Sequence, residues 1–315
     1  MTNSLPETDA LFRPANPAHF ENKQISRPSL SFWQDAVLKI VKNKMAVIGF
    51  VLLTAIIVLS IIGPYLVPYS QSEQSLTEGN LPLSSDHWFG TDDLGRDMWA
   101  RIWAGARISL IIGIASALID LVIGITVGGV SGYMAGRGKT GDRIDSFLMR
   151  IVEVLYGIPY LLVVILLMVI MEPGLVTMII ALSITGWVGM ARIVRGQILQ
   201  LKQQEFVLAA EKLGTSHGKI IIKHLLPNMM GIIIVTLTFT IPQAIFAESF
   251  LSFLGLGVQA PTASWGTMAN DALGTILSGH WWRLFFPALM ISLTMFAFNA
   301  FGDGLQDALD PRSKN

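Results

Sequence analysis

The chain has 315 residues, a length that would suit two soluble domains. Yet 52% of them are apolar and only 14% charged, against about 25% charged in soluble domains, and the mean hydropathy is +0.57, so the apolar surface exceeds what a water-soluble globule of this size can hide. The lack of cysteine excludes a disulfide scaffold and a thiol nucleophile, and 22 Lys plus Arg against 22 Asp plus Glu leave no net basicity for nucleic acid.

In chain order, residues 1–30 contain four prolines and no apolar run, and are expected to be a mobile tail, neither a signal peptide nor a span. Residues 30–41 then follow a helical period that gathers Phe32, Trp33, Val37 and Ile40, the pattern of an interfacial helix. A bilayer core of roughly 30 Å takes about 20 apolar helical residues, and the first uncharged run of that kind covers residues 45–67. Backbone groups in lipid are satisfied within their own segment, so the run is predicted as a helix. An outer loop over residues 68–107 follows, running His-Trp-Phe-Gly-Thr-Asp-Asp-Leu-Gly-Arg-Asp from His87 to Asp97. Gly90 and Gly95 permit turns there. Asp97 suits the cap of a helix over 97–107 whose Trp99 and Trp103, at i and i+4, would face the lipid interface. Asp92, Asp93 and Asp97 read as turn and cap residues; EF-hand spacing is missing, and the five histidines lack ligand spacing, so no metal site is expected.

The second run, 108–134, is broken only by Asp120. A carboxylate deep in apolar sequence marks a polar pathway or a buried partner, and two readings stay open: Asp120 lines a path or gate, or it hydrogen-bonds toward a neighbouring subunit. Gly124, Gly128 and Gly132 recur at intervals of four and give this span a smooth face for close packing. The Gly-Lys-Thr at 138–140 invites a phosphate-loop reading, but position 133, where the motif needs Gly, is Tyr, and a membrane helix precedes it in place of a strand.

The third run, 154–171, follows Glu153, and the fourth, 173–191, stops at Arg192. From 196 to 224 the chain leaves the membrane for longer than a simple connector needs. Phe206, Ala209, Ala210 and Leu213 fall at i, i+3, i+4 and i+7 on one face of a short helix. Gly214 suits a left-handed position after it, and Thr215 or Ser216 can cap a second helix running toward Pro227. The small Ala209 and Ala210 would let a partner backbone approach, with Phe206 and Leu213 as flanking anchors. The fifth run, 225–247, stops at Glu248, which like Glu153 is expected where water or headgroups reach it. In the second outer loop, 248–283, residues 249–270 are uncharged and rich in Gly, Ser, Thr and Pro. They are expected to form broken backbone over a pathway mouth, bent at Gly255 and Gly257, or a purely structural re-entrant turn. Asp120, Glu248, Gly255 and Gly257 are therefore the candidate pathway or gate residues. The sixth run is 284–302.

With the N-terminus inside, cytoplasmic segments hold 18 of the 22 Lys and Arg, and the outer ones only Arg96, Arg101, Arg107 and Arg283. Both termini are thus expected in the cytoplasm. The fold class is an all-α membrane protein of six transmembrane helices, with residues 1–44 as a cytoplasmic tail and interfacial helix, 45–305 as the membrane domain and 306–315 as a cytoplasmic tail.

The loop after the fourth span resembles that of the membrane subunits of ATP-binding-cassette importers, whose signature there is Glu-Ala-Ala, three residues, Gly, then Ile-x-Leu-Pro. The matching residues are Ala209, Ala210, Gly214, Leu226 and Pro227, with nine residues between Gly214 and His224; Leu208 stands for the Glu and His224 for the Ile. The Phe-Gly-Thr-Asp, Gly-Arg-Asp and Gly-Ala-Arg-Ile-Ser-Leu elements of the first outer loop are similar to those of the dipeptide and oligopeptide permease subgroup, as are 252–257 (Ser-Phe-Leu-Gly-Leu-Gly) and 264–266 (Ser-Trp-Gly). The resemblance implies a type I importer permease in the inner membrane, catalysing nothing and binding no cofactor itself. It implies a second homologous permease, two ATPase subunits that hold ATP and Mg, and an extracytoplasmic substrate-binding protein. It also implies that the loop of Phe206, Ala209, Ala210, Leu213, Gly214, Leu226 and Pro227 sits in a groove of the ATPase and transmits its closure. Nickel and glutathione importers share these signatures. A polytopic membrane enzyme using Asp120, Glu153 or Glu248 would want them paired at one depth, and they stand at three; an ion channel would want a polar stripe that the spans lack.

Overall fold

The computed structural model describes residues 31–309, so the tail expected over 1–30 lies outside the described residues, as do the last six of the C-terminal tail. The first helix, α1 (Phe32–Lys42), leaves Trp33 and Val37 exposed and buries Ala36 against Leu305, Ala308 and Leu309. Ile40, expected on the same face as Trp33 and Val37, instead packs against that cluster. Asn43 then ends α1 and caps α2 (Lys44–Ile62), its Oδ1 accepting from the backbone N–H of Met45 and Ala46.

One element replaces two at α3 (Met98–Met134), which is continuous for 37 residues, about 55 Å at 1.5 Å per residue. The short helix expected over 97–107 is its first part. Asp97 caps it by accepting from Ala100 N at 2.8 Å. Arg101 and Arg107 do not break it because each finds a partner: Arg107 donates to the carbonyls of Ser60 and Ile61 at the end of α2, which no residue of α2 itself can satisfy. Trp103 is buried in the core with Ile102, Trp265 and Phe286, not at a lipid interface; tertiary packing overrides the i, i+4 spacing.

The third predicted span is two helices, α4 (Gly138–Gly157) and α5 (Tyr160–Met171), bent by 85° at Ile158 and Pro159. The residue before proline avoids helical backbone, and Ile158 has ψ 128°. With 12 residues, α5 reaches only about 18 Å, short of a roughly 30 Å core. The fourth span, α6 (Leu175–Leu201), continues past Arg192 and Arg195. Arg195 stays in the helix because it pairs with Asp145 of α4 through Nε at 2.8 Å and Nη2 at 2.7 Å.

After α6 come α7 (Glu205–Lys212), α8 (His217–Lys219), a π-helical stretch Ile220–Leu225, and α9 (Leu226–Asn228). The bundle closes with α10 (Met230–Leu251), a second π-helical stretch Ser252–Leu256, α11 (Trp265–Ala272) and α12 (Trp282–Leu309). Among the described residues, five helices are long and apolar enough to cross a membrane, and six crossings result when α4 and α5 count as one bent span.

The α3–α6 seam fixes the interior. An alanine carbon built at Gly124 would stand 2.6 Å from Met190 Cβ, one at Gly128 3.0 Å from Ala191 Cα, and one at Gly132 3.1 Å from Arg195 Cα. The glycine face read from the sequence thus lies backbone to backbone on a parallel neighbour, the packing that lipid, offering no hydrophobic drive between helices, makes favourable.

Candidate functional site

The connection α7 to α9 and the loops 68–97 and 252–281 stand at opposite ends of α3, here the hairpin end and the far end. At the hairpin end, α7 buries Val207 and Ala210, Val207 in a core with Tyr133, Ile198, Ile220 and Leu225. Phe206, Leu208, Ala209 and Leu213 face outward, Leu213 with 86% of its surface exposed. The outward face is therefore Phe206, Ala209 and Leu213, and Ala210, at 7% exposure, belongs to the inner one. Gly214 has φ +78° and no atom near its absent Cβ, so its need for glycine is backbone conformation alone. Thr215 N donates to Ala210 O at 3.0 Å across this turn, the closure of a glycine-ended helix. Leu226 is half-buried and Pro227 exposed; Ser216 stands at the cap of α8 without a side-chain bond.

Five residues fasten this hairpin and the end of α6 to the end of α3. The Arg137 guanidinium lies 4.0 Å from the Tyr133 ring centroid and pairs with Glu211. The Tyr133 hydroxyl meets His217 Nδ1 at 2.8 Å. Lys202 Nζ donates to the carbonyls of Gly132 and Ala135, closing the end of α3 from the α6 side. Glu211 thus supplies an acid three positions after Leu208, directed toward its own chain.

Beside the hairpin, a groove of about 1100 Å³ runs between α6 and α10, with Gly186, Met190 and Gln197 on one wall and Thr236, Phe239 and Gln243 on the other. Asp120 does not line it. It is buried against Gly186, whose missing side chain leaves room for the carboxylate, and its Oδ1 has no hydrogen-bond partner. Asp120 faces α6 of its own chain, directly behind the groove wall.

Glu248 also departs from expectation. It is completely buried, out of reach of water or headgroups, and its carboxylate accepts from Ser109 at 2.9 Å, Ser252 at 2.7 Å and Ser249 at 3.3 Å. These serines come from α3 and the end of α10, so Glu248 ties the two together. Gly255 has φ +83° and kinks the α10 extension. Gly257 is extended at φ −86°, ψ −166°, and is needed for space, since a Cβ there would stand 2.6 Å from Ser252 Cβ. Glu153 is exposed and reaches Arg150 at 3.5 Å.

At the far end, charges cluster that spacing alone does not pair. Asp92 Oδ2 accepts from Arg96 Nε at 2.6 Å and lies 3.3 Å from Arg101 Nε. Arg283 of α12 holds Asn80 Oδ1 at 2.9 Å and Asp93 Oδ1 at 3.0 Å, and Asp97 meets His87 Nδ1 at 2.9 Å. The three aspartates read as turn and cap residues thus also anchor the first loop to α3 and α12. Burial pushes the Asp271 carboxyl above its ordinary value, with Arg101 nearby opposing the shift. Among the described residues no group of three His, Cys, Asp or Glu could hold a metal.

Residues 124–315 match the family described as binding-protein-dependent transport system inner membrane component, and residues 31–82 match the N-terminal transmembrane domain of oligopeptide transport permease C. The chain is 64% identical over 292 residues to the dipeptide transport system permease protein DppC of Bacillus subtilis (strain 168), covering 93% of this chain and 89% of that one. To the oligopeptide transport system permease protein OppC of the same organism it is 52% identical, covering 96% and 97%. To OppC of Escherichia coli (strain K12) it is 40% identical, covering 90% and 92%. In fold, it superposes on a chain of the inward-facing MetNI methionine ABC transporter with a TM-score of 0.54 at 18% identity, over 65% of this chain and 94% of that chain. The helical bundle, the glycine-turned hairpin and these matches converge: the chain belongs to the family of binding-protein-dependent transport system inner membrane components, with the type I ABC importer permease fold.

Proposed function

We propose that this chain is one permease subunit of an ATP-driven importer of dipeptides or oligopeptides, with both termini and the hairpin end in the cytoplasm. The observation that carries the reading is the 64% identity to a dipeptide permease across nearly the whole chain. In this reading the outward face of α7, with Phe206, Ala209 and Leu213 ahead of the Gly214 turn and with Leu226 and Pro227 after it, docks in an ATPase subunit. Ala210 supports that face from within. ATP and Mg are held by two such ATPase subunits, and this chain, a transport subunit and not an enzyme, holds no cofactor. The wide groove between α6 and α10 faces a second, homologous permease, and the passage lies between the two. An extracytoplasmic binding protein delivers cargo to the far end.

Mechanically, ATPase closure would push on α7, and the bonds of Tyr133, Arg137, Glu211 and His217 would pass that displacement to the end of α3. The tight α3–α6 seam would move as one body, the rocking that alternating access requires. Asp120 and Glu248 act in this scheme by shaping helix contacts, and Gly255 and Gly257 by shaping the kink near the mouth.

The test is reconstitution of the chain with its second permease, the ATPase subunits and the binding protein in proteoliposomes, measuring uptake of labelled Ala-Ala. ATP-dependent accumulation that disappears when this chain is omitted is expected. Accumulation that persists without the chain, or none with every subunit present, contradicts the reading.

A further inference from the structure

The far end of the bundle holds a cavity of about 280 Å³ between the start of α3 and the loop joining α10 to α11. Its walls include Arg96, Arg101, Gly255, Gln259, Asn270 and Asp271. Both arginines are almost wholly buried, at 7% and 4% exposure. Arg96 uses its Nε on Asp92, and among the described residues neither of its Nη nitrogens makes a hydrogen bond. Arg101 has its Nε 3.3 Å from the same aspartate oxygen, its Nη1 at 3.5 Å from Gln71 O, and its Nη2 no nearer than 3.9 Å to Asp271 Oδ2.

Arg101 Nε is buried without a hydrogen-bond partner, which is costly, and the Arg96 Nη groups are left free to bind an acceptor in the cavity that Arg96 lines. The planar guanidinium fork matches the two oxygens of a carboxylate. The cavity is far larger than the roughly 10–15 Å³ that a single water needs. Asp92 and Asp271 already balance the two arginines, so the guest that leaves the site neutral carries both a carboxylate and an ammonium. The kinked backbone at Gly255 forms part of the same wall, so an occupant would touch the ends of both α3 and α10.

We propose that this cavity receives the free carboxylate end of a short zwitterionic peptide, gripped by Arg96 and Arg101, with Asp271 facing its ammonium end. The identity of the guest as a peptide rests on the importer reading above; the carboxylate chemistry rests on the arginines.

The test uses the assembled transporter in lipid nanodiscs without the binding protein, and equilibrium binding of labelled tri-alanine. Saturable binding is expected, with the C-terminal amide of tri-alanine weaker by about tenfold or more, the loss of one charge-assisted pair, and with acetate competing. Arg96→Lys keeps a charge for Asp92 but loses the fork, and should weaken tri-alanine by a similar factor. Gln259→Glu supplies a carboxylate from the cavity wall without touching the Arg96–Asp92 pair, and should abolish binding in a transporter that still assembles. The proposal is overturned if the amide binds as well as the acid, if Gln259→Glu binds normally, or if chloride displaces tri-alanine as readily as acetate does. Uptake that proceeds without this binding pattern sinks the cavity site alone. The binding pattern without any ATP-driven uptake sinks the importer reading and leaves the carboxylate site standing.

Discussion

Replacing Gly128 by alanine adds one carbon at the closest approach of α3 and α6. That carbon would stand 3.0 Å from both Cα and C of Ala191, and nearer still to its carbonyl oxygen. Carbon atoms are at ease at about 3.5–4.0 Å, so the helices must part locally by about 0.5 Å or more. Overpacking of this kind costs about 1–3 kcal/mol. The better helix propensity of alanine returns only about 0.8–1.0 kcal/mol of that, as measured in water. Gly129→Ala is the internal control: one residue along the same helix, its added carbon meets only Ile198 Cδ1, at 3.9 Å. Thermal unfolding of the detergent-solubilised protein, read by size exclusion of heated samples, separates the two. Since about 1 kcal/mol moves Tm by about 2–4 °C in domains of 150–250 residues, Gly128→Ala should melt several degrees below the parent. Gly129→Ala should melt at or above it. Coincident midpoints for the two variants would refute the tight seam and the rigid α3–α6 body built on it.

Glu248→Ala should lower folded yield and destabilise by about 1–3 kcal/mol, because the buried Ser109 and Ser252 hydroxyls lose their acceptor; equal midpoints for Glu248→Ala and the parent would disprove the tie. Gly214→Val should cost about 1–3 kcal/mol of backbone strain and reduce ATPase recovery on affinity purification. Gly214→Asn, which tolerates positive φ, should recover it; equal recovery for both would show that the turn is not used. A reporter active only outside the cytoplasm should be active when fused after Asp271 and silent after Glu205. The reverse pattern would invert the proposed orientation.

Features set by local pattern were readable from residues alone: the apolar runs, the Asp97 cap, the glycine face of α3 and the left-handed Gly214. Features set by long-range pairing were not. Arg101 and Arg107 look like the end of a span until Asp92 and the carbonyls of α2 are brought to them, and only then is α3 seen to be one helix. Glu248 looks like a solvated span end because its serine partner Ser109 lies 139 positions away. Pro159, in contrast, was visible inside the third apolar run, but hydropathy outweighed the steric rule that bends the chain there. Ala210 shares a helical face with Ala209 on a coarse wheel, and the core that Val207 forms with Tyr133 and Ile198 decides which of the two is buried. The arginine-lined cavity left no local signature beyond the Gly-Arg-Asp sequence that supplies Arg96.

The most direct measurement of the coupling proposal uses the fact that the sequence contains no cysteine, so an introduced thiol is the single one on this chain. Ala209→Cys and Val207→Cys lie two residues apart on α7, the first exposed and the second fully buried. In the transporter assembled with its ATPase subunits, a thiol-to-amine cross-linker should join Ala209→Cys to the ATPase, with a yield that changes when ATP is added, and should leave Val207→Cys unjoined. If Ala209→Cys forms no ATPase product while the assembly is intact, or if both positions react alike, α7 does not present the docking face.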